Sequence, residues 1–438
     1  MRVIFPDPEL IEAAGYPTLA FCPFLLSEQG QYPDAANRYL RERALCEWLP
    51  RLHVDSDSAS ERRYIQFQTT ASCGAMARRL GGFLDWCLRT DQDWRTIEYS
   101  QLVGGWQVGM LSGIASHSGR QLKPTTVNGR VHEACLFLVW AEERGLRGRF
   151  LVPIRPARTH AVPFPPHVGA HPKQRVGKLP IPRSRLVLPS PEEVGRWLNR
   201  VRILKGQVKT MCCELILSTG IRISECNQWR VNTLPHRGAW QIIDGHVVCT
   251  IKFGVKGGKI QPGSLEGTKP REILVPLELA ERIDYYRNFQ RPTQIRRWIH
   301  SGESKSERDR RARLKQPDRL WLGERSNRPF SNSQLYQDWT GVPGCSPRWH
   351  PHCGREFFAV DLIATHTRRL IEATGQTSAP PMNWLIGTLG GHVRTILTPL
   401  LGHADENTTN LYLRAARARL VKEIGHPALR WQDFTDAE

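Results

Sequence analysis

Residues 401–412 read Leu-Gly-His-Ala-Asp-Glu-Asn-Thr-Thr-Asn-Leu-Tyr, and this stretch decides the predicted fold class. Gly402 predicts the end of one helix, because glycine readily adopts the left-handed backbone that closes a helix. His403 lies in the turn, and Thr-Thr-Asn at 408–410 begins a second predicted helix, which carries Tyr412. The stretch therefore predicts a histidine and a tyrosine, nine positions apart, at a helix-to-helix junction.

Two further stretches of the C-terminal half contain basic residues that could carry chemistry. Thr-Gly-Ile-Arg-Ile-Ser-Glu at 219–225 places Arg222 between two isoleucines, which predicts a buried stem and a directed guanidinium. A structural ion pair with a nearby carboxylate is the competing interpretation of this arginine. His366 and Arg369 are three positions apart, hence on one face of a predicted helix, although such pairs also arise by chance in a basic chain.

In order and spacing, these stretches resemble the motifs of the tyrosine recombinase family. The arginine motif of that family is similar to 219–225, and its last histidine and tyrosine are separated by the same nine positions. The resemblance covers residues 188–425 and extends more loosely to 61–150, which is similar to the family's core-binding domain. The catalytic positions that it implies are Arg222, Lys269, His366, Arg369, His403 and Tyr412.

The resemblance implies a role for each side chain. The two arginines would clamp the non-bridging oxygens of a phosphodiester, where paired guanidinium hydrogen bonds stabilise developing charge. Tyr412 would attack phosphorus with His366 handling its proton, because an ordinary phenol has a pKa of about 10. His403 would bond a phosphate oxygen, and Lys269 would protonate the departing 5′ oxygen, leaving a 3′-phosphotyrosyl link. This chemistry requires no metal ion and no cofactor.

The lysine assignment has an open alternative. The family places its lysine in the turn between the second and third strands, before text similar to Val-Pro-Leu at 275–277. Gly-Thr-Lys-Pro-Arg at 267–271 favours Lys269, but the turn is long, and Lys256 in the same turn is the second choice.

A zinc site is a competing interpretation of another stretch. His350, His352 and Cys353 are close in sequence, but their spacing is irregular and no fourth ligand is evident. A surface turn is the preferred interpretation of these residues.

Composition favours a polyanionic partner. Lys plus Arg number 61 against 42 Asp plus Glu, a formal charge of +19, which suits double-stranded DNA better than an acidic protein surface. No apolar run approaches the roughly 20 residues that span a bilayer. The eleven cysteines lie mostly in apolar helical patterns, which predicts reduced thiols in the cytoplasm. No membrane partner is expected, and the DNA partner that the resemblance implies predicts a nucleoid-associated protein.

The predicted fold class is mainly α with a small antiparallel β-sheet. Helical periodicity over 61–150 predicts an all-helical domain, which the resemblance implies is a DNA-binding domain, and 1–60 is an extension without an assigned role. Proline-rich, basic text over 151–187 predicts an extended linker. Residues 188–438 are expected to form the α+β catalytic domain, which starts with a helix that has Ser190 as N-cap and Pro191 at its first position. Within it His246–Phe253 follows the turn Asp244-Gly245 as one arm of a hairpin.

The expected function is site-specific DNA recombination or integration for a mobile element, by protomers assembled as a tetramer on DNA, with accessory recombination proteins as further partners. The alternatives are a type IB topoisomerase-like enzyme, which nicks and reseals one duplex, and a non-catalytic DNA-binding protein with the same fold. The target DNA sequence, the reaction direction and the choice among phage integrase, transposon recombinase and chromosome resolvase are not determined by these patterns.

Overall fold

The structure is a computed structural model of the 438-residue chain. It describes residues 1–50, 69–115, 119–156, 173–181, 186–254, 266–323, 327–345, 348–375, 379–380, 382–385, 387, 398–401 and 406–424. At 173, 266–269, 382, 398–399, 406–409 and 424 the description covers the backbone alone. Among these residues, none of the helices combines the length and the apolarity that crossing a bilayer requires.

The described chain divides into two compact units, Met1–Arg183 and Ser184–Gly257 with Leu265–Glu438. Both are built mainly from helices with small antiparallel sheets, so the predicted fold class is confirmed. Within 61–150 every described element is a helix, as expected.

The first unit is organised around two long helices, Thr70–Arg89 and Pro124–Glu143. Thr69 opens the first because its side chain accepts a hydrogen bond from the Ser72 backbone N–H at 3.1 Å. The second begins at a proline, which suits the first helical position. The elements of this unit are β1 (Arg2–Ile4), α1 (Pro8–Ala13), β2 (Phe24–Leu26), α2 (Asp34–Ala44), α3 (Thr70–Arg89), α4 (Tyr99–Gln101), a π-helix (Leu102–Gln107), α5 (Val108–Ser112), α6 (Pro124–Glu143), β3 (Ile154–Pro156) and β4 (Lys173–Arg175).

The N-terminal stretch, which has no predicted role, contributes to the core of the first unit. Tyr39 of α2 is fully buried and packs edge-on against Phe137 and Trp140 of α6. The Tyr39 hydroxyl donates to Glu133 at 2.7 Å, and the Trp140 indole N–H donates to Glu42 at 2.8 Å. Residues 1–50 therefore belong to the folded unit, whereas 51–68 lie outside the described residues.

We expect Tyr39→Phe to lower the free energy of unfolding by about 1–3 kcal/mol, because it leaves the buried Glu133 carboxylate without this donor. Urea unfolding followed by circular dichroism measures the change. Tyr32→Phe is the control, since Tyr32 is exposed. Equal midpoints for the two variants would contradict the role given to the Tyr39 hydroxyl.

Parts of the predicted linker also pack on the first unit. Strands β3 and β4 pair antiparallel, and Arg175 at the end of β4 is buried. Its guanidinium donates to Gln107 at 2.8 Å and to Asn128 at 3.0 Å. These hydrogen bonds satisfy a buried charge that an extended, solvated linker would leave in water. The linker residues 157–172 and 182–185 lie outside the described residues.

The second unit begins with the predicted helix start. Ser190 accepts from the Glu193 N–H at 3.3 Å, and the Glu193 carboxylate accepts from the Ser190 N–H at 2.8 Å, a reciprocal capping box. The elements of this unit are α7 (Pro191–Lys205), α8 (Gln207–Thr219), α9 (Ile223–Asn227), β5 (Ile242–Ile243), β6 (His246–Phe253), β7 (Glu266–Pro276), α10 (Leu277–Tyr285), a π-helix (Tyr286–Gln290), α11 (Arg291–His300), α12 (Lys305–Arg313), α13 (Asn332–Thr340), α14 (Pro351–Thr374), α15 (Met382–Trp384), α16 (Thr398–Leu401) and α17 (Glu406–Ile424).

The predicted hairpin is present. Strand β5 pairs with β6 and β6 with β7, both antiparallel, in the order β5-β6-β7. Asp244 and Gly245 have φ angles of 47° and 74°, the two positive values that a tight primed turn between strands requires. The inward side chains of β6, among them Val247 and Cys249, are buried against the helices. The sheet is therefore a small layer on a helical body.

Candidate active site

Arg222 stands where α8 ends and α9 begins. Gly220 closes α8 with a φ of 63°, and a Cβ there would lie 2.4 Å from Phe358 and 2.6 Å from Leu401. Only glycine meets both the backbone and the packing demands of this position. The turn that follows places Arg222 at the N-cap of α9, half-buried, with its stem beside the core.

Glu225 fixes Arg222 from one turn away. Its carboxylate is fully buried and accepts from the Arg222 backbone N–H at 2.6 Å and from the guanidinium at 3.1 Å. The same carboxylate accepts from Arg271 of β7 at 2.5 Å. A single buried carboxylate thus pairs with two arginines. The structural ion pair, which was the competing interpretation of Arg222, is therefore present in the structure.

Arg355 of α14 is the third arginine of this cluster, and its side chain is 1% exposed. Its guanidinium donates to the Gly220 carbonyl at 2.6 Å and to the Leu401 carbonyl at 2.5 Å. Burial and the neighbouring Arg222 lower the pKa of Arg355 to about 9, which leaves the guanidinium charged at neutral pH. Arg355 therefore joins the arginine turn to the end of α16.

Arg271 makes a matching contact with α16. Its guanidinium donates to the Leu400 carbonyl as well as to Glu225. Burial lowers the pKa of Arg271, while Glu225 raises it. Two arginines consequently hold the last two carbonyls of α16, the acceptors that a helix end leaves without an internal partner. This end directly precedes Gly402 and His403 in the chain.

Tyr412 lies on α17 and packs against α14, next to the arginine cluster. It is 1% exposed and belongs to a core shared with Ala359, Ile363 and Leu401. Burial raises the pKa of Tyr412 to about 12, and Glu356 acts in the same direction, while Arg355 and Arg222 lower it. Both arginines are thus close enough to favour the ionised form of Tyr412, although the phenol stays protonated and neutral at pH 7.

His366 and Arg369 lie farther along α14. Arg369 is exposed, and it follows Arg355 by 14 positions, or about 21 Å at 1.5 Å per residue of helix. Helices α14 and α17 run in parallel, because Arg419 pairs with Asp361 at 2.8 Å and Glu423 with Arg368 at 2.5 Å. The His366–Arg369 turn therefore faces the far end of α17. In the structure Arg355, and not Arg369, lies beside Arg222 and Tyr412, so the part of Arg369 in the site stays a prediction.

The sequence contains a second histidine–arginine pair that points to Arg355. His352 and Arg355 have the same three-position spacing as His366 and Arg369, and they lie in the first turn of a helix that starts at Pro351. Phe357, Phe358 and other apolar residues follow Arg355 in the sequence, which is the pattern of a helix that packs into the core. His352 is exposed, and its ring lies 3.6 Å from the Glu356 carboxylate. Burial raises the pKa of Glu356.

Three predicted site residues lie wholly or partly outside the described residues. His403 and Lys256 are outside them entirely, and Lys269 is described by its backbone alone, within β7 and two positions before Arg271.

The residues weighed as zinc ligands have other contacts. The His350 ring caps α14 by accepting from the Cys353 N–H at 3.3 Å, and the Cys353 thiol lies against the Arg348 carbonyl. In the part of the chain that the structure describes, no cluster of three or more histidine, cysteine or carboxylate side chains is arranged to hold a metal ion.

The cluster has the chemistry of an oxyanion site. Two arginines pair with one fully buried carboxylate and Arg355 lies close to both, and Arg271 and Arg355 each keep a buried Nε–H without a hydrogen-bond acceptor among the described residues. An excess of guanidinium charge next to a phenol favours a tetrahedral oxyanion such as a phosphodiester group.

For the strand cleavage that the sequence resemblance implies, we expect Arg271→Lys to lower the rate about 10- to 100-fold with little change in DNA affinity, because one ammonium cannot hold Glu225 and the Leu400 carbonyl together. Single-turnover cleavage rates and DNA-binding titrations separate the two effects. Arg282→Lys is the control, since Arg282 pairs with Glu214 elsewhere in the unit. An unchanged rate in Arg271→Lys would remove its positioning role.

Comparison with known proteins gives a fold-level likeness only. No family model matches the chain, and no curated protein matches it. The structure of XerH site-specific recombinase bound to palindromic difH substrate, a post-cleavage complex, is 15% identical, covering 91% of this chain and 95% of that chain with a TM-score of 0.49. The Tn1549 transposon integrase (aa 82-397) in complex with circular intermediate DNA is 14% identical, covering 88% and 98% with a TM-score of 0.41. XerA recombinase is 12% identical, covering 88% and 98% with a TM-score of 0.32.

These structural neighbours are tyrosine recombinases, the family that the motifs of this chain resemble. Because all three TM-scores are below 0.5 and the identities do not exceed 15%, the likeness does not establish what this chain does. The functional case therefore rests on the chain's own residues.

Proposed function

We propose that this chain is a DNA strand transferase of the tyrosine recombinase type, which cuts and rejoins DNA through a 3′-phosphotyrosyl intermediate. The observation that carries the proposal is the cluster of Arg222, Arg355 and Tyr412, in which two arginines lie near a buried phenol and oppose the rise in its pKa that burial causes. The cluster unites two sequence motifs that are 190 positions apart, Arg222 and Tyr412.

The proposed reaction conserves the energy of the phosphodiester bond. The Tyr412 oxygen attacks phosphorus and forms a P–O bond, while the bond from phosphorus to the 5′ oxygen breaks. The phenolic proton passes to a base, and Lys269 gives a proton to the departing 5′ oxygen, with Lys256 as the alternative donor. A 5′ hydroxyl from another strand then attacks the phosphotyrosyl group in the reverse sense and releases Tyr412.

Arg222 and Arg355 act on the phosphate in both steps. Each presents a planar fork of N–H donors to the non-bridging oxygens, where charge develops as the tyrosine attacks. His403 is the proposed third donor to these oxygens, since it follows the helix end that Arg271 and Arg355 hold.

Proton removal from Tyr412 is the demanding part of the reaction. With a pKa of about 12, roughly one phenol in 10⁵ is ionised at pH 7. We propose that the base lies at the start of α14, where His352 pairs with Glu356, in place of His366. Because Tyr412 is buried, DNA binding has to expose its oxygen before attack.

The remaining features of the proposal concern partners and setting. Exchange between two duplexes requires four active sites in one assembly, so the working form is a tetramer on paired DNA sites in the nucleoid, with accessory proteins as further partners. The biological role is the integration, excision or transposition of a mobile element. A topoisomerase-like enzyme needs only one protomer and one duplex, which makes partner exchange the distinguishing reaction.

Covalent trapping tests the proposal. Wild-type protein is incubated with nicked 40-bp duplexes that tile the DNA on either side of its own gene, and the products are separated on a denaturing gel. The expected result is a protein–DNA adduct with a blocked 3′ phosphate and a free 5′ hydroxyl. Strand joining between two labelled duplexes supports recombination, and resealing of a single duplex alone supports the topoisomerase-like reaction. Binding without an adduct under these conditions overturns strand transfer in favour of a non-catalytic DNA-binding protein.

A further inference from the structure

A helical hairpin in the second unit carries more positive charge than the proposed reaction uses. It consists of α11 and α12, whose arginine-rich sequence suits either a DNA-contacting insertion or a solvated charged surface. Helix α12 buries none of its side chains. The charged residues of the 305–313 segment are Lys305, Glu307, Arg308, Asp309, Arg310, Arg311 and Arg313.

Two of these basic residues hold the hairpin together. Arg311 pairs with Glu307 at 2.5 Å, donates to the Trp298 carbonyl at 2.7 Å and lies 4.9 Å from the centre of the Trp298 ring. Arg308 donates to the Gly302 carbonyl at 3.0 Å. These contacts fasten α12 to the end of α11, so Arg308 and Arg311 have a structural role.

The other three basic residues face solvent. Lys305, Arg310 and Arg313 are exposed, and within the described residues they make no side-chain hydrogen bond or ion pair. They line one shallow recess together with Ser306, Asp309 and Leu314. Asp309 is the one carboxylate of that recess, so the recess has a net positive charge.

The spacing of these residues suits a phosphate backbone. Lys305 and Arg310 are separated by about 7.5 Å along the helix axis, and Arg310 and Arg313 by about 4.5 Å, at 1.5 Å per residue. Each DNA strand offers a phosphate about every 3.4 Å along its axis. Like charges this close repel one another on a free surface, and a bound polyanion removes that cost.

We propose that the face of α12 formed by Lys305, Arg310 and Arg313 binds the phosphate backbone of duplex DNA away from the strand-transfer site. The inference rests on the proposed function for its choice of nucleic acid. DNA is favoured over an acidic protein because the recess offers Leu314 as its one large apolar side chain, whereas protein interfaces depend on buried aromatic and apolar anchors.

The test is the salt dependence of DNA affinity for a triple variant, Lys305→Gln, Arg310→Gln and Arg313→Gln. Binding of a fluorescent 40-bp duplex of arbitrary sequence is measured by anisotropy between low and moderate salt. Each lost phosphate contact lowers the slope of log affinity against log salt by about 0.9, so we expect a decrease of about 2 to 3. Arg308 and Arg311 are retained, so the hairpin keeps its internal contacts.

A second triple variant removes the same charge elsewhere. Arg196, Arg200 and Arg202 are exposed on α7 and become glutamine in the control. A decrease confined to the α12 variant supports the proposal, and equal decreases in the two variants overturn it in favour of a general charge effect. A variant whose salt slope is unchanged but which no longer self-associates in sedimentation also overturns the proposal. That result would mean that the α12 face binds an acidic protein surface and not DNA.

The covalent adduct distinguishes this proposal from the proposed function. At saturating DNA we expect the α12 variant to form the adduct at the wild-type rate, because its substitutions lie outside the arginine–tyrosine cluster. A missing adduct in wild type defeats strand transfer whatever the salt slopes are. A normal adduct with unchanged slopes defeats the α12 proposal alone.

Discussion

Replacing Tyr412 with phenylalanine is expected to abolish the protein–DNA adduct, with a loss of roughly 10⁶-fold in cleavage rate, the scale on which removal of a nucleophile acts. The substitution deletes one oxygen and keeps the ring that fills the core between α14 and α17. A buried hydroxyl contributes about 1 kcal/mol through its hydrogen bond, so the variant should fold and bind DNA. The measurement is adduct yield on the nicked duplexes, with DNA affinity and melting temperature recorded for the same preparation.

Tyr336→Phe is the matched control for this experiment. Tyr336 is exposed on α13 in the same unit, and its loss should leave the adduct unchanged. If Tyr412→Phe still gave an adduct, another residue would be the nucleophile. A variant that had lost its DNA affinity or melted early would instead indicate that the phenol oxygen supports the fold, and the adduct assay on tyrosine-to-phenylalanine variants of the remaining tyrosines would then decide.

Local patterns predicted much of the fold because local chemistry forms those elements. Ser190 and Pro191 marked a helix start, and Asp244-Gly245 marked a turn, since a cap and a positive φ are demands of a few neighbouring residues. The N-terminal stretch behaved differently. Its place in the first core depends on Tyr39 meeting residues about 100 positions away, and no short pattern encodes such a contact.

The site shows the same division between local and distant information. Arg222 and Tyr412 lie in distinctive local patterns, and in the structure Arg222 is close enough to Tyr412 to act on the pKa of its phenol. Two histidine–arginine pairs of equal spacing lie on α14, and spacing cannot choose between them. The choice depends on which turn of the helix faces Gly220 and Leu401, which is a property of packing. In the sequence Arg271 is only the last residue of the predicted lysine motif. Its positioning role follows from its contact with the Leu400 carbonyl, which the sequence does not predict.

The two arginines of α14 give the sharpest test of the site. We expect Arg355→Lys to reduce the cleavage rate by about 10²- to 10³-fold, the effect of losing one well-placed donor to a developing oxyanion. Lysine keeps the charge but loses the fork that reaches the Gly220 and Leu401 carbonyls. Arg369→Lys, on the same helix and exposed, should change the rate less than twofold.

Melting temperature and DNA affinity make this comparison decisive. Arg355 is buried, so its substitution also costs stability, and a rate measured well below the melting temperature at saturating DNA reports the chemistry alone. A slow Arg355→Lys with normal DNA affinity places the second clamp at Arg355. The opposite pattern, with Arg369→Lys slow and Arg355→Lys normal, would restore the His366–Arg369 assignment and would require the C-terminal half of α14 to approach DNA when the protein binds it.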